Sequence, residues 1–297
     1  MKTKKIFALG FFDGVHRGHQ GLLERCVELA KERGCEAAAI TFDRHPQAAF
    51  VNNPPALIST LRDRQLLLRR YGMDQTRVFP VTKEVMSTSW EIFLESLLEQ
   101  GAAGFVCGDD FRFGAKGEGS SEKLKGFCEE RGLPWVILPE QTLEGIRISS
   151  TYIRRQIESG DMATAVKFLG HPLMLTGEVV PGKQLGRQLG VPTANLRLPV
   201  GLAQPRLGVY VCRALVDGIW HPAVTNVGNR PTVAGEGITV ESWILDYTGD
   251  LYGREITLEF HYFLRPEMKF PSLEALQAEI RRNAQQTREF LQTTFTQ

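Results

Sequence analysis

The chain lacks the features that mark several large protein classes. Its cysteines, Cys26, Cys35, Cys107, Cys128 and Cys212, are odd in number, widely spread and contain no CxxC pair, which argues against a disulfide framework and against a zinc site. Isolated thiols in apolar runs read instead as small core residues kept reduced. No stretch approaches the roughly 20 apolar residues that a membrane span needs. The opening MKTKKIFALGFF is basic and then apolar, yet it reaches Asp13 quickly and offers no small-residue cleavage site, so it does not read as a signal peptide. With 35 Lys and Arg against 34 Asp and Glu, the chain has no broad positive field for non-specific nucleic-acid binding. There is no internal repeat and no low-complexity tract. The expectation is a cytoplasmic globular protein with no nucleic-acid, membrane or obligate protein partner.

At 297 residues the chain is about two ordinary domains of roughly 150 residues each. From residue 5 to about 140, short apolar strands alternate with amphipathic helices. In the helix over 19–33, Leu22, Cys26 and Ala30 repeat beside Leu23 and Val27, and Gly34 ends it. In the helix after residue 88, Thr88 and Glu91 have capping-box spacing, while Trp90, Phe93, Leu94, Leu97 and Leu98 form one face. Strands separated by helical crossovers imply an α/β doubly wound parallel sheet. After two short helices near 150–158 and 161–169, the stretch from Leu173 to Leu264 is β-rich, as expected of a mostly antiparallel barrel. A C-terminal helix follows from about Ser272, with Leu273, Leu276, Ile280 and Leu291 on a common side. The expected division is a first domain over 1–157, a helical linker over 158–172 and the barrel with its helix over 173–297.

Each half carries a glycine-punctuated motif. GFFDGVHRGH, at 10–19, runs from a strand through a turn into a helix, and such a turn delivers unpaired N–H groups to one point that favours anions. Gly10, Gly14 and Gly18 remove side chains where a triphosphate must approach, and His16 and His19 can both face its oxygens. A Gly-rich turn with two solvent-facing histidines fits those residues equally well. GDDFRFG, at 108–114, and ISSTYIRR, at 148–155, tip the balance, because each follows the ligand-binding edge of such a sheet. The second half opens with GRQLGVPTAN, at 186–195, where Thr193 and Asn195 offer neutral oxygens two residues apart, on one side if extended. Hard oxygen donors suit Mg²⁺ bridging ATP phosphates. Glu241, in a strand-like stretch, has the chemistry to take a proton from a substrate hydroxyl, although a surface strand charge accounts for it as well.

The motifs of 10–19, 41–46, 108–114 and 148–154 resemble the adenylyltransferase domain of the prokaryotic bifunctional riboflavin kinase/FMN adenylyltransferase family, also called FAD synthetase, an HxGH-type nucleotidyltransferase. The resemblance implies that Gly10, Phe12, Asp13, Gly14, His16 and His19 handle ATP. It places Asp110 near the nucleotide, Ser149, Ser150 and Thr151 beside it, and Arg154 near the phosphates. GRxLGxPTANL, GVYxxxA, NVGxRPT, ESW…LDYTGDLYG and FLRPExKF are similar to the riboflavin kinase domain of the same family. That similarity implies that Gly186, Thr193 and Asn195 bind Mg-ATP, that Glu241 is the catalytic base, and that Arg265 and the C-terminal helix help hold the flavin. Substrates and products would be riboflavin, FMN, FAD and ATP. The chain departs from the family pattern at Phe11, where Asn is usual, at Arg44 for Pro, at Pro181, and at Trp243, where His is expected. These departures keep two other readings open, an enzyme with one surviving activity and a non-catalytic flavin or nucleotide binder.

Overall fold

The computed structural model describes residues 3–182, 190–232 and 235–295. The chain divides into two compact units, Met1–Leu57 with Leu61–Tyr152, and Ile58–Thr60 with Ile153–Gln297. In the first unit strands and helices alternate as β1 (Lys5–Leu9), α1 (Arg17–Arg33), β2 (Glu36–Phe42), α2 (Leu61–Arg70), β3 (Gln75–Phe79), α3 (Lys83–Met86), α4 (Trp90–Glu99), β4 (Ala102–Gly108), α5 (Ser121–Arg131) and β5 (Trp135–Leu138). A short ribbon of β6 (Thr142–Leu143) and β7 (Ile146–Arg147) follows. The five main strands lie in the order β3-β2-β1-β4-β5 with every pairing parallel. Crossover helices must then cover the sheet, so its central strands are buried and read as apolar runs.

Local chemistry accounts for the helix boundaries. Gly34 takes a left-handed conformation at the end of α1 and its N–H bonds the Ala30 and Lys31 carbonyls. Leu23, Cys26, Leu29 and Ala30 form the buried stripe of that helix. α4 is capped one residue later than its capping-box spacing predicts. Ser89 Oγ accepts from the Ile92 N–H, while the Thr88 hydroxyl turns back to the Glu84 carbonyl. The predicted apolar face of α4 does meet the core, with Leu94 and Leu97 packed against Phe7, Leu9, Ile40 and Phe105. Cys26, Cys107 and Cys128 are buried thiols, and burial pushes each of them up to about 12. They are packing groups rather than nucleophiles.

The second unit contains α7 (Met162–Leu169), β8 (Leu173–Glu178), β9 (Ala194–Arg197), β10 (Gly208–Val216), β11 (Ile219–Thr232), β12 (Gly235–Ile244), β13 (Glu255–Arg265) and α8 (Leu273–Phe295). It is entered through α6 (Ser150–Ser159). Six antiparallel strands run in the order β8-β13-β10-β11-β12-β9. The two edges meet just past β8, where the Val180 N–H bonds the Asn195 carbonyl at 2.9 Å, so the sheet approaches a closed barrel. α7 packs on β13 and α8 on β10 and β11. Along α8 the buried side chains are Asn283, Ala284, Thr287 and Leu291, whereas Leu273 is exposed. Beneath the end of α8, burial raises Glu259, but the hydrogen-bonded Arg213 guanidinium at 2.6 Å and the His261 ring at 3.6 Å outweigh it and hold the carboxyl at about 2. No helix of the described residues is long and apolar enough to cross a membrane.

Gly114 tests the packing of the first unit. It sits at φ 72°, and a Cβ there would lie 2.6 Å from Trp90 Cα. Gly114→Ala is expected to destabilise this unit by about 1–3 kcal/mol, from backbone strain and the forced shift of α4. Urea unfolding followed by near-UV dichroism would measure it.

Candidate active sites

At the centre of the parallel sheet, β1 and β4 end side by side at Leu9 and Gly108. The chain runs outward from β1 to β3 and then crosses back to β4, so the crevice beyond these ends is the topological switch point where open α/β sheets bind ligands. A cavity of about 250 Å³ opens there, lined by His16, Gly18, His19, Asp110, Ser149 and Ser150 among others. The helices α1 and α6 both begin beside it, and a helix N-terminus suits an anion.

The turn before α1 is unusual in its backbone. Phe12 at φ 58° and Val15 at φ 41° are left-handed although neither is glycine, and Gly14 lies between them at φ 75°. Each non-glycine residue there costs about 1–3 kcal/mol, so its surroundings must over-determine the conformation. At Gly10 a Cβ would meet the Phe12 ring at 2.8 Å, so the missing side chain makes room for that ring. The Phe12 ring in turn stands edge-on to His19, with centroids 5.2 Å apart. Asp13 is buried, and its carbonyl accepts the Ser150 hydroxyl at 3.1 Å, tying α6 to the turn.

The two histidines stack with ring centroids 3.6 Å apart and planes 13° from parallel. His16 caps α1, its Nδ1 accepting the His19 N–H at 3.4 Å. A neutral ring that accepts at Nδ1 carries its proton on Nε2, which becomes a donor. Burial, then the neighbouring His16 and the Arg64 cation, holds His19 well below the usual histidine value. Asp110 lines the cavity but is ion-paired with Arg147 at 2.6 Å. Ser149 caps α6 by accepting the Tyr152 N–H at 3.3 Å. Thr151 is exposed and outside the cavity lining, and Arg154 lies half-buried one turn along α6.

In the barrel unit one cross-strand row carries the candidate groups. Asn195 on β9 faces Glu241 on β12, Glu241 faces Asn226 on β11, Asn226 faces Val209 on β10, and Val209 faces Arg265 on β13. Directly opposed residues share a face of the sheet. On this face lies a cavity of about 330 Å³ with walls from Val224, Trp243, Leu276 and Ile280 and polar groups from Asn226, Glu241 and Arg265. A second cavity of about 460 Å³ is lined by Asn195, Tyr247, Asp250 and Tyr252 among others. Thr193 lines both cavities, so they adjoin at that residue. Arg265 is fixed by α8, its Nε lying 3.1 Å from Asn283 Oδ1 and 3.0 Å from Glu279 Oε1. Gly186 lies outside the described residues. Asn226, the first residue of the NVGxRPT motif, and Gly182 have no role assigned from the sequence. A Cβ at Gly182 would come within 2.5 Å of the Asn195 amide, so only glycine leaves that amide in place. Trp243 belongs to an apolar cluster with Val209, Val224, Leu245 and Ala284, which makes this departure a hydrophobic wall of the smaller cavity.

His19 generates a pH prediction. Its pKa is lower folded than unfolded, so the unfolded chain binds the extra proton first and the first unit loses stability as pH falls below the unfolded value of about 6.5. NMR of the imidazole should show His19 still neutral at a pH where an exposed histidine is already half-protonated.

Comparison with known proteins agrees with these two architectures. The family described as FAD synthetase matches residues 1–152, and the family described as riboflavin kinase matches residues 169–291. A bifunctional riboflavin kinase/FMN adenylyltransferase of Listeria monocytogenes is 34% identical over 96% of this chain and 92% of its own length. The protein of the same name from Escherichia coli K12 is 36% identical over 97% of this chain and 93% of its own. A crystal structure from Streptococcus pneumoniae, described as a macrolide-efflux protein, superposes with a TM-score of 0.85 at 29% identity, covering 97% of this chain and 95% of that one. With both halves matched and relatives aligned over nearly the whole length, the chain belongs to the bifunctional riboflavin kinase/FMN adenylyltransferase family.

Proposed function

We propose that this protein phosphorylates riboflavin to FMN in its barrel unit and adenylylates FMN to FAD in its parallel-sheet unit, using ATP in both steps, in the cytoplasm. The observation that carries the kinase reading is the meeting of two cavities at Thr193, with Glu241 on the shared face. The larger cavity, lined by Asn195 and Asp250, is assigned to ATP. The smaller, walled by Val224, Trp243, Leu276 and Ile280, suits a fused-ring flavin whose ribityl chain ends near Glu241. The Glu241 carboxylate takes the proton of the terminal hydroxyl as that oxygen attacks the γ-phosphorus and ADP leaves. Asn226 and Arg265, on the same cross-strand row, orient the substrate, so that most of the acceleration comes from positioning.

Mg²⁺ fits the donor set. Asn195 donates its amide N–H to the Thr193 carbonyl at 3.3 Å, which leaves its Oδ1 as an acceptor. Among the described residues no three His, Cys, Asp or Glu side chains cluster as a cage, so the ion would be held largely by phosphate and water with Thr193 and Asn195. When bound, it neutralises charge on the transferring phosphate. Gly186 belongs to the same ATP loop by its motif.

In the second step an FMN phosphate oxygen attacks the α-phosphorus of ATP and pyrophosphate leaves. His16 Nε2–H and neutral His19 donate to the phosphate oxygens as charge builds, with the N–H groups opening α1 and α6 around them. Asp13, Gly14, Asp110, Ser149, Ser150, Thr151 and Arg154 are assigned to holding ATP. No partner beyond these small molecules is required.

Separate assays on one chain test the division of labour. Glu241→Gln should lower riboflavin phosphorylation by about 10²–10⁴-fold and leave FAD formation from supplied FMN intact. His16→Ala should do the converse, with a loss of about 10²–10³-fold in FAD formation. Full kinase activity in Glu241→Gln would refute the assignment of the base.

A further inference from the structure

The strained turn of the first unit needs something to hold it, and the residue that does so lies outside every motif of the sequence reading. Arg64, on α2, is fully buried. α2 packs directly on the turn Asp13–Val15. Arg64 Nη1 donates to Thr41 Oγ1 at 2.9 Å and to the Phe42 carbonyl at 2.9 Å. The Thr41 hydroxyl, also fully buried, donates to the Phe11 carbonyl at 2.7 Å. The guanidinium carbon lies 4.3 Å from the centre of the Phe11 ring, a cation–π contact. Phe11 is further fixed by the rings of Phe42 and His45, at 6.2 and 5.5 Å.

Resting on the adenylyl-transfer reading of this unit, we propose that Arg64 is a positioning residue for FAD formation. Its buried fork, covered by Phe11 and relayed through Thr41, fixes the backbone immediately before the left-handed Phe12. That backbone sets where Asp13, His16 and His19 stand. Arg64 has no exposed surface and so does not touch substrate. The ring at position 11, where the family usually has Asn, serves here as the cover over this cation. The second consequence is electrostatic. His19 is faced by the His16 ring and the Arg64 cation, with Asp109, Asp110, Glu140 and Arg147 around the cavity. Removing the Arg64 charge takes away a repulsion that opposes protonation of His19, so the His19 pKa must rise.

The test compares Arg64→Met, Arg64→Lys and Thr41→Val in the full chain, following FAD formation from FMN and, as an internal control, riboflavin phosphorylation. All three variants should keep the kinase rate and the native near-UV dichroism of the parent. Arg64→Met and Arg64→Lys should lose on the order of 10²-fold in kcat for FAD formation, the cost of small misplacements of reacting groups. Thr41→Val, which keeps the charge and deletes the relay, should lose about 10-fold with its pH profile unmoved. In Arg64→Met alone the acid limb of the profile should shift to higher pH, because the lysine variant retains the cation. If Arg64→Met does not fold, Arg64→Lys and Thr41→Val still decide the matter through their rates. Parent-like FAD formation in those two variants would overturn the proposal. Absence of FAD formation in the parent enzyme would overturn the reading on which it rests.

Discussion

Strand register is the constraint on which both sites depend. In the parallel unit, the pairing of Leu9 with Cys107 brings the ends of β1 and β4 level, so that the loops leaving them open onto one crevice. In the barrel unit, a slip of one residue between β11 and β12 would turn Glu241 away from the cavity face and Ser242 toward it. Ser242 instead points inward, bonded to Thr225 at 2.8 Å and fully buried. The inner face thus secures the register, and the outer face uses it to align Asn195, Glu241, Asn226 and Arg265. Fold and chemistry are joined at that alternation.

The two units solve different electrostatic problems. The parallel-sheet unit places the starts of α1 and α6 and the stacked rings of His16 and His19 at one cavity, without a large basic field. That agrees with a nearly balanced chain of net charge +1. The barrel unit sets a strand carboxylate, Glu241, beside the apolar side chains of a cavity that α8 helps to wall. Buried polar supports recur in both, Arg64 under one turn and the Arg265–Glu279–Asn283 set under the other cavity. Such groups are costly to bury unless fully bonded, so each fixes one geometry.

Much of this was legible along the chain, and what was not follows a physical pattern. The alternation of strand and helix, the Gly34 cap and the apolar face of α4 all rest on interactions within a few residues, which a sequence displays. Ser89 replaced Thr88 as the cap of α4 because the Thr88 hydroxyl has a competing acceptor in the preceding turn. Leu273 shares the side of α8 that the spacing gave it but is exposed, because periodicity identifies a stripe and not how much of it is covered. His16, His19, Thr193 and Glu241 sit in motifs. Asn226 opens the NVGxRPT motif, but its place in the row beside Glu241 is a cross-strand relation that the motif does not display. Gly182 and Arg64 make their contacts across elements, and no local spacing records them. At Gly10 the space is taken by the Phe12 ring, a contact that the glycine spacing does not reveal.

The central claim is that one chain carries two consecutive reactions in two separate units. A chromatographic time course of the purified protein with riboflavin, ATP and Mg²⁺, following FMN and FAD separately, tests it most directly. The account predicts FMN first and FAD after it, at the expense of FMN. FMN that accumulates without FAD would contradict the role given to the parallel-sheet unit, and an absence of both products would contradict the account as a whole.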